Sequence, residues 1–293
     1  MSIYSNCKKG KEMIDKMGDR LKYYEGIEAG RVLIPHLPIC VRVDGRAFHT
    51  FTRGMERPYD IKMSNSMIET MKYLVEKTDA CIGYVQSDEI SLILSDVKDP
   101  MFGGRVQKLT SVIASMATAK FNQEIHNYYP DKPLAEFDCR VWNVPSRTEA
   151  ANTILWREFD ATKNSISMAA RAYYSDKQLL GKNSSQKQDM LMEKGVNWND
   201  YPVFFKRGSY AKRTTVQRTL TKEELDELPE HHNARKNPDL IVTRTEIKEI
   251  YMPVFSKVVN REAVIFDGAE PVIFDSNTGA LVNAEEGETD GKV

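Results

Sequence analysis

Between residues 39 and 49 the chain reads Ile39-Cys40-Val41-Arg42-Val43-Asp44-Gly45-Arg46-Ala47-Phe48-His49, and no other stretch constrains the fold as much. A β-branched apolar run of this kind is an interior strand. It stops at an acid and a glycine, where such a strand would surface. Gly45 can take a positive φ and lets something bulky approach the backbone. The residues after it can then turn their N–H groups around an anion. An aspartate at the head of that turn repels the anion unless a cation lies between them. Magnesium suits the position, because it binds through one or two carboxylates plus substrate phosphates. Asp-Gly alone is equally an ordinary surface turn, so the reading requires a second carboxylate.

Ser87-Asp88-Glu89 provides one. Residues 80–86 read as a strand and 90–94 as its partner, with only Ser87, Asp88 and Glu89 between them. Tight hairpins favour Asn-Gly, Asp-Gly or Gly-X, and two adjacent acids are poor turn chemistry. A local rule broken without local benefit marks a functional position. Asp44 and Asp88 together suit a two-metal phosphoryl-transfer pair.

The intervening pattern decides whether they can meet. A helix is expected from about Asp60 to Lys77, with Met63, Met67, Met71 and Leu74 on one face as core filler. A second is expected from about Arg105 to Asn127. Its first turn carries Arg105 and Lys108, which oppose the helix dipole and suit a bound anion or, equally, solvent. Residues 137–142 form a fourth strand. The order strand, helix, hairpin, helix, strand is the βαββαβ arrangement of an α+β, ferredoxin-like core. Its first strand lies beside the third, which brings Asp44 to the hairpin tip.

Beyond the core, Ser146 and Glu149 have capping-box spacing and open a helical stretch through Asp160. A second helical run follows Lys163 and Asn164, and a short helix from Ser185 to Glu193 carries Lys187. Residues 203–210 read as a strand turning at Gly208, with basic and aromatic residues interleaved. Interleaving of this kind suits single-stranded or terminal nucleic acid, or simply an amphipathic hairpin. Val264-Ile265-Phe266-Asp267 is repeated as Val272-Ile273-Phe274-Asp275, which suggests a β-hairpin. Three segments are expected: a catalytic core (1–145), a helical and basic hairpin region (146–220), and a C-terminal extension with a disordered acidic tail (221–293).

The formal net charge is −1, so nucleic-acid binding would rest on local basic patches. No apolar run reaches the length of a membrane span. The first residues lack a secretory apolar core. Cys40, Cys81 and Cys139 fall in predicted strands without zinc-ligand spacing, as expected of a cytoplasmic protein.

Residues 42–51, Gln86-Ser87-Asp88-Glu89, and Trp156-Arg157 with Asp160 and Asn164 resemble the tRNA(His) guanylyltransferase family. The likeness spans roughly residues 15–215. It implies a polymerase/cyclase-like palm, two magnesium ions per active site and 3′-to-5′ nucleotide addition. By that resemblance Asp44, Asp88 and the Gly45 carbonyl are the metal ligands, and Glu89 is a further catalytic acid. Asp44, Gly45, Arg46, Ala47, Phe48 and His49, with Ser87, hold a nucleoside triphosphate. Arg57, Arg105, Lys108, Asn164 and Lys187 contact phosphate or tRNA. GTP or another nucleotide and ATP are the implied substrates, tRNA the partner, and a homotetramer the assembly. Thr162-Lys163-Asn164-Ser165 stands where the eukaryotic enzymes have His-Ile-Asn-Asn. That pattern resembles the bacterial and archaeal-type branch, which repairs truncated tRNA 5′ ends against a template. A nucleotide cyclase on the same palm, and an inactive palm that binds RNA ends, are the alternatives.

Overall fold

In the computed structural model, which describes residues 17–237, 239–275 and 279–284, the core begins with β1 (Ile39–Gly45). Helix α1 (Met17–Ala29) precedes it. After β1 come the short α2 (Phe48–Phe51), α3 (Ile61–Thr78), β2 (Ile82–Gln86), β3 (Glu89–Leu94), α4 (Val106–Ile125) and β4 (Phe137–Asn143). This is the expected βαββαβ order. The strands lie β4-β1-β3-β2 and are continued by β5 (Ser209–Thr219) and β6 (Ile241–Ile250) into one six-stranded sheet. All its pairings are antiparallel. The sheet therefore draws strands from each of the three segments distinguished in the sequence.

Period-two alternation sorts the side chains between two layers. Val41 and Val43 of β1, with Ile90 and Leu92 of β3, face α3 and α4 in the larger core. Met67, Met71 and Leu74 of α3 are fully packed there, as the helical spacing predicts. Cys40, Ile82, Tyr84 and Ile93 face the other way, onto α5 (Arg147–Arg171). Burial pushes the Cys40 thiol up to about 11, so it is a poor nucleophile.

Ser146 caps α5, its side chain accepting from the Glu149 N–H. The helix runs unbroken through Asp160–Asn164, where the sequence suggests two separate runs. Glu158 explains the continuity. It is buried against the sheet, accepting from the Tyr210 hydroxyl at 2.7 Å and the Phe255 N–H at 2.8 Å. A break there would strand a buried carboxylate.

α6 (Asp176–Leu179), α7 (Ser184–Glu193) and α8 (Val203–Lys206) follow α5. Residues 203–206 are thus helical, contrary to the strand read over 203–210. The Pro202 carbonyl accepts from the Phe205 and Lys206 N–H groups and starts a turn before β5 opens at Ser209. Two short helices, α9 (Lys222–Glu227) and α10 (Asn233–Lys236), join β5 to β6. The repeated tetrapeptide is also corrected. Its first copy lies in α11 (Arg261–Phe266), where Val264 and Ile265 are buried beneath α5. Its second copy is β7 (Val272–Asp275), paired with β8 (Ala280–Asn283). The acidic tail lies outside the described residues from 285 onward.

Candidate active site

β1 and β3 pair in a register that makes Asp44 the Cα partner of Glu89. Asp44 also faces Asp138 of β4, so three acids stand in one row across the end of the sheet. The β2–β3 connection is a two-residue turn, Ser87-Asp88, with Glu89 already in β3. Ser87 has φ 56, a left-handed conformation unusual for a serine. The turn is locked to β1, because the Gly45 N–H donates to the Asp88 carbonyl at 3.1 Å. The fold thereby sets residues 44 and 88 side by side.

The glycine does a different job from the one its type suggests. Gly45 is not among the positive-φ residues; Ala47, at φ 55, is. A Cβ on Gly45 would lie 2.3 Å from the Phe48 ring, so its hydrogen makes room for that ring. Phe48 stacks with Phe51, Phe121 and Phe137 beneath the loop. The Gly45 and Arg46 N–H groups are spent on Asp88 and Glu136. A phosphate cradle in this loop starts no earlier than Ala47.

Two cavities open at this end and share Ser87, Asp88, Met168 and Arg171 in their walls. The larger, about 500 Å³, lies between the 45–60 loop and α5 and includes Gly45, Ala47, Phe48, His49 and Arg57. The smaller, about 360 Å³, holds Asp44, Asp88, Glu89, Arg157 and Asn164. Arg46 lies outside both, exposed and ion-paired with Glu136. Lys187 donates to Ser167 Oγ at 2.9 Å on the flank of α5. Arg105 is the residue before α4 and donates to the Phe102 carbonyl; Lys108 sits over the Phe102 ring. Thr118, which accepts from Phe137 beside Gly45, lies 13 residues along α4 from Arg105. At about 1.5 Å per residue, Arg105 stands roughly 20 Å from the acids.

The electrostatics fit a cation. Burial and the Asp44 charge push the Asp88 carboxyl up, opposed only by local hydrogen bonds such as that from Ser87 Oγ at 3.1 Å. Two carboxylates in this position are the donor set for a hard ion. Among the described residues no three His, Cys, Asp or Glu side chains form a metal cluster. The remaining ligands would be carbonyl, phosphate or water oxygens, which is how magnesium is usually held.

Glu89 is occupied otherwise. Arg157 grips it through Nε–Oε1 at 2.5 Å and Nη2–Oε2 at 2.7 Å, and reaches Asp160 at 2.8 Å. Burial raises the Glu89 carboxyl even so, with Arg157 opposing. Arg140 lies 3.6 Å from Asp44 and 3.3 Å from Asp138. Arg140, Arg157 and Arg171 join the site only through the fold. Arg157 carried a signal in its Trp-Arg motif, whereas Arg171 had none.

A ferredoxin-like sheet with paired acids at one end, beside two cavities that share a wall, is the arrangement of a palm-type enzyme that handles nucleotides. Residues 18–145 match the family model described as Thg1, tRNAHis guanylyltransferase. The tRNA(His) guanylyltransferase of Saccharomyces cerevisiae is 30% identical over 212 residues, covering 65% of this chain and 89% of the relative. A bacterial tRNA(His) guanylyltransferase (Thg1)-like protein solved with ATP superposes with a TM-score of 0.70 at 38% identity, covering 86% of this chain and 99% of its own. The S. cerevisiae enzyme structure gives 0.60 at 28% identity, over 73% of this chain and 100% of its own. The chain belongs to the tRNA(His) guanylyltransferase family.

Proposed function

We infer that this chain repairs 5′-truncated tRNA, choosing each nucleotide by pairing with the opposite strand of the acceptor stem. As a family member it is a 3′-to-5′ nucleotidyltransferase that adds nucleotides to the 5′ end of tRNA. The 3′-OH of the incoming nucleotide attacks the phosphorus at the activated 5′ end. A new phosphodiester forms, pyrophosphate or AMP leaves with the electron pair of the broken P–O bond, and the hydroxyl proton passes to solvent. Two magnesium ions would be held by Asp44, Asp88 and the Gly45 carbonyl, and would supply Lewis-acid stabilisation of charge on the reacting oxygens. Glu89, clamped by Arg157, keeps the acids in place. The larger cavity takes the base and ribose over Phe48, with His49 and Arg57 at its wall. Ser87 and Asn164 line the path of the phosphates. Structures of bacterial family members with ATP and with GTP support nucleotides as substrates.

One observation carries the reading: Asp44 and Asp88 line the smaller cavity together, and Asp88 also stands in the wall that cavity shares with the larger one. Template-directed repair is favoured by Thr162, whose hydroxyl folds back onto the Glu158 carbonyl and presents no reader of a particular tRNA. Arg105, Lys108 and Lys187 then contact tRNA away from the chemistry. A homotetramer in the cytoplasm completes the proposal. Helix α1 supports an assembly, since it exposes Met17, Leu21, Tyr24 and Ile27 together, and light scattering will give its size. For the reaction, kcat/KM is compared for several 5′-truncated tRNAs and for intact tRNA(His). Repair predicts higher values for truncated tRNAs with the Watson–Crick nucleotide. A preference for intact tRNA(His) over every truncated substrate sinks it.

A further inference from the structure

Charge in the smaller cavity is out of balance for a polyphosphate. Its lining includes the three acids Asp44, Asp88 and Glu89, and two arginines, Arg157 and Arg171. Arg157 is committed to Glu89 and Asp160 by three hydrogen bonds. With only 13% of its side chain exposed, it has little surface left to offer a ligand. Arg171 differs on each count. It lies in the last turn of α5, its side chain is 58% exposed, and it lines both cavities. Its partner is Asp176, at 3.0 Å from Nε, on the next short helix. Asp176 is itself 85% exposed. An exposed pair of this kind contributes little and exchanges readily for a better anion. A phosphate is such an anion, because the guanidinium fork matches its oxygens.

We propose that Arg171 binds the distal phosphates of the nucleoside triphosphate at the passage between the two cavities, and that Asp176 holds the side chain there until phosphate replaces it. This rests on the nucleotidyltransferase reading above and assigns its phosphate cation. The geometry follows from the shared wall. A nucleotide with its base in the larger cavity and its phosphates toward Asp44 runs along the wall common to both, formed by Ser87, Asp88, Met168 and Arg171. Divalent ions at Asp44 and Asp88 would neutralise the phosphate oxygens that face the sheet. Arg171, reaching in from the last turn of α5, takes oxygens that those ions leave unpaired. Asp176 then lowers the affinity slightly, because every bound triphosphate must compete with it.

Equilibrium binding of GTP, GMP and guanosine, with magnesium present, tests this on the parent, Arg171→Ala, Arg171→Lys, Asp176→Asn and the Arg171→Ala/Asp176→Asn double variant. Arg171→Ala should weaken GTP about tenfold or more, the worth of a hydrogen bond to a charged group, and change guanosine and GMP less than twofold. Arg171→Lys should fall between, keeping charge and losing the fork. Asp176→Asn should tighten GTP about two- to threefold, and the double variant should match Arg171→Ala. Unchanged GTP affinity in Arg171→Ala overturns the proposal, as does an equal loss of all three ligands. Should that variant not fold, Asp176→Asn decides alone, and unchanged GTP affinity there overturns it. The two readings separate in the parent. A parent that binds no GTP fails both, whereas a parent and an Arg171→Ala variant that add nucleotide with the same KM for GTP fail this one only.

Discussion

Arg157 and Glu89, 68 residues apart in sequence, meet through two parallel hydrogen bonds of 2.5 and 2.7 Å with side chains only 13% and 17% exposed. The pair pins the middle of α5 to the start of β3, one residue from Asp88. Breaking such a pair by removing one partner leaves an uncompensated charge. Arg157→Met should therefore cost about 3 kcal/mol, and Glu89→Gln less. The double variant Glu89→Gln/Arg157→Met should recover most of that stability yet keep low kcat, because α5 no longer positions the acids. A double-mutant cycle on urea midpoints checks this. Strict additivity of the two single losses would show that the contact contributes nothing.

The second prediction concerns the cation. Asp88 is held against Asp44 with its carboxyl pushed up by burial and by that neighbour. At neutral pH the charged pair thus works against the fold. Asp88→Asn should melt about 1–2 °C higher than the parent without metal, as for relief of roughly 1 kcal/mol at an unfolding entropy of about 2.1 cal/mol/K per residue. Magnesium should raise the parent's Tm and leave the variant's unmoved, and nucleotide addition should be abolished. A magnesium shift of equal size in both proteins would remove Asp88 from the metal site. Substantial activity in Asp44→Ala or Asp88→Ala would remove the pair from catalysis.

How far the sequence shows all this depends on the range of the forces involved. The β1 to β4 core is legible because period two, period 3.6 and the order of elements agree, and that topology alone brings residue 44 to residue 88. The two copies of Val-Ile-Phe-Asp defeat local reading. Val-Ile-Phe is helical at 264–266, with Asp267 capping the helix, whereas the whole tetrapeptide is extended at 272–275, because α11 buries Val264 and Ile265 under α5 while the second copy finds β8. Phe204 and Phe205 favour strand by propensity, but Pro202 and the Tyr59, Tyr201 and Trp198 neighbourhood capture them in a helical turn. Arg105 looks like a site residue on helix-dipole grounds, yet β1 and α4 run so that it lies at the far end of the layer. Arg171 is invisible in sequence. Its meaning comes from a cavity wall shared with residues more than 80 positions earlier.

A pH-dependent contact ties down the β5–β6 arm. Arg218 donates to both oxygens of Glu224, at 2.7 and 2.9 Å, and to Glu246 at 2.9 Å. The Arg218 guanidinium, with the Thr221 N–H, pulls the Glu224 carboxyl down to about 2. An acid depressed by folding stabilises the native state above its ordinary value of 4.5 and ceases to do so as pH falls toward 2. Hydrogen exchange in residues 213–219 should thus be slower in the parent than in Glu224→Gln at pH 6, and the difference should close as the pH is lowered through that window. High salt should shrink it at pH 6, since the groups face solvent. An exchange difference independent of pH would assign the effect to packing instead.

The last prediction separates packing from conformation in the loop after Asp44. Gly45 and Ala47 are two residues apart, and each resembles the residue the other would be expected to be. Gly45 has no positive φ, but a Cβ there would sit 2.3 Å from Phe48 Cδ2. The ring has nowhere to move, since Phe51, Phe121 and Phe137 have their centroids at 5.1, 5.5 and 5.1 Å from it. Gly45→Ala should overpack this cluster and cost about 1–3 kcal/mol, and the shifted loop should lower kcat as well. Ala47 has φ 55 and ψ 35, which disfavours any residue with a Cβ. Ala47→Gly should relieve about 1 kcal/mol of that strain, offset in part by the greater entropy of a glycine in the unfolded chain, for a small net gain in Tm. The gain should come with a higher KM for nucleotide, because a glycine there no longer holds one conformation against the cavity. Strain kept at a site for the sake of order predicts this opposition of stability and affinity. If Ala47→Gly is both less stable and unchanged in KM, the left-handed alanine is an incidental turn residue.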